Sequence, residues 1–130
     1  MVKIDAIYLP LLEIIAHGKN RRIRKISCLV DTGAGYNIFP SEIGLTYFGM
    51  SEKTLAQGKP LHLRGIGNIE LDKPAYGHLI KLQHPYFNFK TWVFFIDKQY
   101  PPLLGRSGFM DKFRKLEFDE INKKLILELR

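Results

Sequence analysis

The stretch Cys28-Leu29-Val30-Asp31-Thr32-Gly33-Ala34 brings a carboxylate to the end of an apolar run. Asp31 offers a general base when ionised and a general acid when protonated. Thr32 adds a hydroxyl that both donates and accepts hydrogen bonds. Gly33 has no Cβ, so a ligand or a second backbone can approach closely. Taken alone, Asp-Thr-Gly also reads as an ordinary turn, with the Asp side chain accepting from a backbone N–H two residues on. Its surroundings have to decide between the two.

Other reactive side chains point to less chemistry. His17, His62, His78 and His84 show no close ligand pair with a matching carboxylate or cysteine, and the nearest two, His78 and His84, stand six positions apart. They read as surface or loop histidines, and no metal site is expected. Cys28 sits on the apolar run without an adjacent base, which describes a buried inert thiol. Ser107 in Gly105-Arg106-Ser107-Gly108 lacks the glycine spacing of a nucleophile elbow and reads as a helix cap.

The elements that must position Asp31 read mostly as strands. Ile4 to Ala16 is rich in Ile, Leu and Tyr, with Pro10 marking an edge or a bulge. His17-Gly18-Lys19-Asn20 is a turn, and Arg22 to Val30 returns as the second arm of a β-hairpin. After the Asp31–Asn37 loop comes the short apolar piece Ile38-Phe39-Pro40. Ser41 then caps a short helix running toward Phe48. Lys53 to Lys59 reads as a surface connection. Leu61 and Leu63 alternate with polar neighbours, and Gly65-Ile66-Gly67-Asn68 makes a flexible tip. Ala75–Leu82 and Thr91–Ile96 are further strands. Tyr100-Pro101-Pro102 is a break. Phe109, Met110 and Phe113 are spaced for a short amphipathic helix over Ser107–Phe113. Leu116–Phe118 and Lys124–Leu129 form a closing hairpin. The expected class is all-β, a closed or partly open β-barrel with one or two short helices.

Composition agrees. The 130 residues are 45% hydrophobic and 25% charged, which excludes a long disordered polypeptide and fits one domain over residues 1–130. One cysteine excludes an intrachain disulfide framework and is compatible with a reducing compartment. No apolar run is long enough to span a bilayer. Met1 to Pro10 carries Lys3 and Asp5 within its apolar stretch and lacks the pattern of a signal peptide. The expectation is a cytoplasmic protein without a membrane role. The net charge of +7 is partly concentrated in Lys19, Arg21, Arg22, Arg24 and Lys25. That cluster reads better as a solvated hairpin than as a nucleic-acid patch, since no zinc finger or RNA-recognition signature accompanies it. Trp92, Phe94 and Phe95 with Tyr86, Phe87 and Phe89 read as core packing or dimer burial.

A second motif near the C-terminus changes the weight of the first. Leu103-Leu104-Gly105-Arg106 is followed by Ser107-Gly108-Phe109-Met110-Asp111, and the glycine-bearing tip Gly65-Ile66-Gly67 lies between the two motifs. This ordered set, over roughly Ser27 to Leu129, resembles the retropepsin-like aspartic proteases. In that family an apolar strand leads into Asp-Thr/Ser-Gly-Ala, a hairpin flap follows, and two apolar residues precede Gly-Arg. Small bacterial members look most similar, through Gly105-Arg106-Ser107-Gly108-Phe109.

The resemblance implies an aspartic endopeptidase of the acid-protease fold, with no cofactor. Peptide hydrolysis by an activated water needs both a base and an acid. Two carboxyls sharing one proton supply both, because two like charges so close cannot both ionise easily. The sequence holds only one Asp-Thr/Ser-Gly, so a second Asp31 must come from a second copy, as a homodimer about a two-fold axis. By resemblance, Asp31, Thr32 and Gly33 are the catalytic loop, with Thr32 bracing the paired loops. Ala34 and Gly35 line the cleft for a peptide or protein substrate. Gly65, Ile66, Gly67 and Asn68 form the flap. Val30 and Leu104 lie in apolar subsites or in the core beneath, and Arg106 is a structural anchor. Gly35 stands where retroviral members carry an acidic residue that pairs with the arginine, which leaves Asp111 or Asp5 as partners for Arg106. Asn68 stands where many members have Gly. The alternative reading is a non-catalytic peptide- or protein-binding module on the same fold.

Overall fold

Strict alternation builds the first hairpin. In β2 (Leu11–His17), Leu12, Ile14 and Ala16 are buried, and in β3 (Ile23–Val30) so are Ile26, Cys28 and Val30. The two strands pair antiparallel from Leu11↔Leu29 to His17↔Ile23, which turns both apolar sets to one face. The computed structural model describes residues 2–5 by their backbone, and residues 10–18, 21–62, 74–97 and 101–130 in full. The Gly65-Ile66-Gly67-Asn68 tip lies outside the described residues.

The expected strand Ile4–Ala16 is two strands. Strand β1 (Val2–Asp5) joins β10 (Lys124–Leu129) and β9 (Phe113–Asp119) in a three-stranded antiparallel sheet. Strand β2 belongs to the larger sheet. Pro10, read as an edge or a bulge, stands just before β2, and its carbonyl accepts from Val30 N at 2.9 Å.

The larger sheet follows the order β2-β3-β8-β4-β7-β6-β5, with β4 at Asn37–Pro40, β5 at Lys59–Leu61, β6 at Ala75–His84, β7 at Phe87–Ile96 and β8 at Leu103–Leu104. A further pairing of β2 with β6, Ile15↔Gln83 to His17↔Lys81, closes a ring. The fold is thus the expected all-β type, but the ring is not a regular barrel. Its joints are short: β8 meets β3 at Leu29↔Leu103 and Val30↔Leu104, and β4 only at Ile38↔Leu103.

Inside the ring, Leu12, Ile14, Val30, Phe39, Leu82, Val93, Phe95 and Leu104 are all but fully buried. Leu125, Leu127 and Phe113 from the three-stranded sheet join the same core, so that sheet plugs one side of the ring. Phe87, Phe109 and Phe113 pack edge-to-face, with ring centroids 5.1 to 5.7 Å apart.

Helical pieces are brief. The backbone is already helical at buried Ser41, which therefore lies within the turn and does not cap it. The turn widens to a π-helix over Ile43–Tyr47, with Phe48 N donating to Ile43 O at 3.0 Å. The stretch Lys53 to Lys59, expected as a surface connection, begins inside helix α1, Glu52–Ala56. Ser51 caps it, its Oγ accepting from Thr54 N at 3.0 Å. The helix expected over Ser107–Phe113 is a 3₁₀ turn at Met110–Lys112. Gly108 precedes it at φ 101°, which keeps an α-helix from starting at Ser107. Among the described residues, no helix is long and apolar enough to cross a membrane.

Candidate functional site

The Asp31 loop leaves the ring where β8 is wedged between β3 and β4. Strand β3 ends at Val30, and the Asp31 amide donates to Leu104 O at 3.0 Å. The β8 backbone therefore fixes the height at which the carboxylate emerges. Asp31 Oδ1 accepts from Gly33 N at 2.9 Å, and Ala34 N donates to Asp31 O at 3.1 Å. This is the expected Asx turn, and it orients the carboxylate as well as closing the loop. Among the described residues its second oxygen accepts no hydrogen bond. Asp31 is half-buried, Thr32, Gly33 and Gly35 are exposed, and Ala34 is buried.

The second motif crosses under the loop. Arg106 N donates to Ala34 O at 2.9 Å, and Ser107 N to Gly35 O at 2.8 Å. Tyr36 and Ser107 form a parallel bridge. The crossing explains Gly105: a Cβ there would overlap the carbonyl oxygen of Tyr36 and lie 2.7 Å from its amide nitrogen. The backbones touch, so only hydrogen fits between them. The Gly105 amide turns inward and donates to Asn37 Oδ1 at 3.0 Å. Asn37 Nδ2 in turn donates to Trp92 O at 3.1 Å. On the far side, Thr91 Oγ1 donates to Gly108 O at 2.6 Å. A polar frame of Asn37, Thr91 and backbone groups thus ties β4, β7 and the Gly105–Gly108 segment beneath Asp31.

Asp31, Thr32, Gly33, Ala34, Gly35 and Arg106 are therefore brought together, the last by its backbone. The Arg106 guanidinium is exposed and makes no ion pair among the described residues. Of its two expected partners, Asp111 instead accepts from Gly108 N at 3.0 Å, and the Asp5 side chain is not described. Val30 and Leu104 are fully buried, in the core beneath the loop. Sequence reasoning does not find Asn37 and Thr91. The available signal is a polar amide at the edge of Ile38-Phe39, which alternation does not flag.

Of the remaining reactive groups, His78, read as a surface or loop residue, is buried on β6. Its Nε2 lies 2.9 Å from Leu55 O, where it ties α1 to the sheet. His17 is part-buried, with Nε2 2.7 Å from Gln83 Oε1. The Cys28 thiol is fully buried, and burial pushes its pKa far up. Arg21, Arg22, Arg24 and Lys25 are exposed on the first hairpin, with Lys25 3.6 Å from Glu13 and Arg24 over the Tyr47 ring. Phe87, Phe94 and Phe95 are buried, whereas Trp92 and Tyr86 are exposed at 41% and 53%. A cleft of about 600 Å³ lies against β2, β3 and the β6–β7 turn, and Asp31 is not among its lining residues.

No protein-family model matches the sequence, and no curated protein does. Solved structures do. The crystal structure of a retropepsin-like aspartic protease from Rickettsia conorii superposes with a TM-score of 0.63 at 22% identity, over 97% of this chain and 88% of that one. EIAV protease complexed with the inhibitor HBY-793 superposes with a TM-score of 0.47 at 17% identity, over 81% of this chain and 88% of that one. The protein has the retropepsin-like fold.

Proposed function

We propose that residues 1–130 act as one aspartic endopeptidase domain that works as a homodimer, with one Asp31 from each copy. The observation that carries this reading is the Asp31 loop. Its carboxylate is aimed by Gly33 N through one oxygen, and the loop around it is exposed in the single subunit. A lone half-buried carboxylate on an exposed loop has neither the acid nor the dry cleft that amide hydrolysis needs. A second copy facing it across a two-fold axis supplies both.

In this reading the two Asp31 carboxyls share one proton and hold a water between them. The ionised carboxyl takes a proton from the water while its oxygen attacks the scissile carbonyl carbon. The protonated carboxyl gives its proton to the carbonyl oxygen. The carboxyl that took the water proton then gives it to the nitrogen of the tetrahedral diol, the C–N bond breaks, and the other carboxyl takes a proton from a diol hydroxyl, which restores the shared proton. Thr32 braces the pair of loops, and Gly33 leaves room for the substrate backbone. Ala34 and Gly35 line the cleft. Gly65, Ile66, Gly67 and Asn68 close over the substrate as the flap. Arg106 supports the loop through the hydrogen bond its backbone N–H donates to Ala34 O.

The test is cleavage of a diverse peptide mixture by wild type and Asp31→Asn, read by mass spectrometry, with molar mass by light scattering. The asparagine keeps the acceptor for Gly33 N and loses the base. Expected are cuts by a dimeric wild type and a loss of at least about a hundredfold in Asp31→Asn, with fold and dimer unchanged. Equal cutting by both proteins overturns the reading. An intact wild-type dimer that cuts nothing makes this protein a peptide-binding module.

A further inference from the structure

The outer face of β6 and β7 carries a second feature that the Asp31 chemistry does not use. Leu79 lies opposite Trp92, and Lys81 opposite Lys90, on that outward face. Leu79 is 57% exposed and Trp92 is the protein's single tryptophan. With Tyr36, Phe94, Lys59 and Lys112 they surround a groove of about 410 Å³. Lys59 Nζ stands 5.5 Å from the Trp92 ring centroid.

The charges on this groove are one-sided. Lys59, Lys90 and Lys112 line it, and the one carboxylate among its lining residues, Asp111, already accepts from Gly108 N. Lys81 and Lys90 face each other across the strands, an arrangement that costs stability. Among the described residues, none of these four lysines makes an ion pair with a carboxylate. The groove also abuts the Asp31 loop, since Tyr36 follows Gly35 directly and Ser107 N donates to Gly35 O.

We propose that this groove binds an acidic polypeptide segment, with an apolar side chain seated on Leu79 and Trp92 and carboxylates meeting Lys59, Lys90 and Lys112. Resting on the protease reading, it selects substrates that carry such a segment beside the scissile bond. Charge complementarity favours an anion, and the floor favours a peptide. Single-stranded nucleic acid is held by successive stacking rings along a track. Here Trp92 adjoins an aliphatic Leu79, Phe94 is buried, Tyr36 packs edge-on against Phe94 and not in a stacking row with Trp92, and no arginine lines the groove.

Binding is tested apart from catalysis, on the Asp31→Asn protein. The probes are a short peptide of Glu, Leu and Phe, its Glu→Gln counterpart, and an oligo-dT strand of equal formal charge. Fluorescence anisotropy reads binding, and Trp92 emission reads occupancy of the groove. Expected is binding of the Glu peptide about tenfold tighter than the Gln peptide, since each tenfold is one modest ion-pair contribution. Trp92 emission shifts with it. Lys90→Gln with Lys112→Gln removes most of that preference at a melting temperature no lower than that of wild type, while Arg24→Gln on the first hairpin leaves it. Equal binding of the two peptides, indifference to the lysine changes, or a tighter oligo-dT complex that shifts Trp92 overturns the proposal. In wild type, the acidic segment lowers KM of a cleaved peptide without changing kcat. Binding without any cleavage retains the groove and removes the protease reading. Cleavage blind to the segment does the reverse.

Discussion

Asn37 and Gly105 are joined by a buried hydrogen bond of 3.0 Å, from the glycine amide to the asparagine Oδ1. The same side chain donates from Nδ2 to Trp92 O at 3.1 Å. An amide is the one side chain of this size that accepts on one side and donates on the other, so its orientation is determined by its two partners. Asn37 is fully buried. Its loss takes the acceptor from the buried Gly105 amide and one donor from the Trp92 carbonyl.

Asn37→Ala is therefore expected to cost about 2–4 kcal/mol, from one buried amide left unsatisfied and a second, part-buried hydrogen bond lost. Asn37→Asp keeps the acceptor for Gly105 N but sets a carboxylate oxygen against Trp92 O, so it is destabilising as well. Urea unfolding of both variants measures this. A change within about 0.5 kcal/mol for Asn37→Ala would contradict the frame.

Two glycines of the site are expected to behave oppositely. Gly105→Ala drives a methyl into the Tyr36 backbone, which cannot move aside without breaking the Arg106–Ala34 and Ser107–Gly35 bonds. The expected loss is about 3 kcal/mol or more. A Cβ on Gly35 meets nothing within 4 Å, so Gly35→Ala should lie within about 0.5 kcal/mol of wild type. Gly35→Asp should fold too, and would put a carboxylate where retroviral members carry one. Thermal melts of the three variants decide the ranking.

His84 gives a pH dependence with a definite sign. Its pKa is lowered by burial, its ring stacks on Phe87 at 5.0 Å, and Nδ1 accepts from Tyr86 N at 3.3 Å. The folded protein thus prefers the neutral ring, while the unfolded polypeptide titrates near the ordinary value of about 6.5. The contribution is present above that value and is lost as pH falls through it toward the lower folded pKa. Denaturant midpoints for wild type should fall more between pH 7.5 and about 5.5 than those of His84→Gln. Equal slopes would remove His84 as the cause.

Cys28 should be silent in the native protein. It is fully buried on β3, which pairs with β2 and β8, and burial raises the thiol pKa, so neither access nor thiolate is available. A coloured thiol reagent should label it only as fast as the ring opens, and at once in denaturant. Rapid labelling of the folded protein would show that the β2–β3–β8 region opens locally.

Much of the fold is legible in the sequence because alternation is a strong signal. Leu12, Ile14 and Ala16 against Ile26, Cys28 and Val30 outline the first hairpin, and Leu125 and Leu127 outline the last. The pieces that escape have little periodicity to read. Helix α1 buries only Leu55, and its clue is the Ser51–Thr54 cap. Pro10 marks the separation of two strands that enter different sheets. Phe109, Met110 and Phe113 have helical spacing, but Gly108 and the aromatic cluster hold that segment as a 3₁₀ turn. At the site, Asp31-Thr32-Gly33 is visible as a motif. Asn37 and Thr91 are not, because their importance comes from backbone groups distant in sequence.

The wedged position of β8 also sets an order in time. Leu103 pairs with Leu29 on one side and Ile38 on the other, and Leu104 O, Gly105 N and Arg106 N hold the Asp31 loop. A polypeptide growing from the ribosome therefore carries Asp31 long before it carries the groups that orient it. Loop closure over such a span is also slow relative to forming the first hairpin. The hydrogen bonds that shape the Asp31 loop can form only once the β8 segment and the residues after it have emerged.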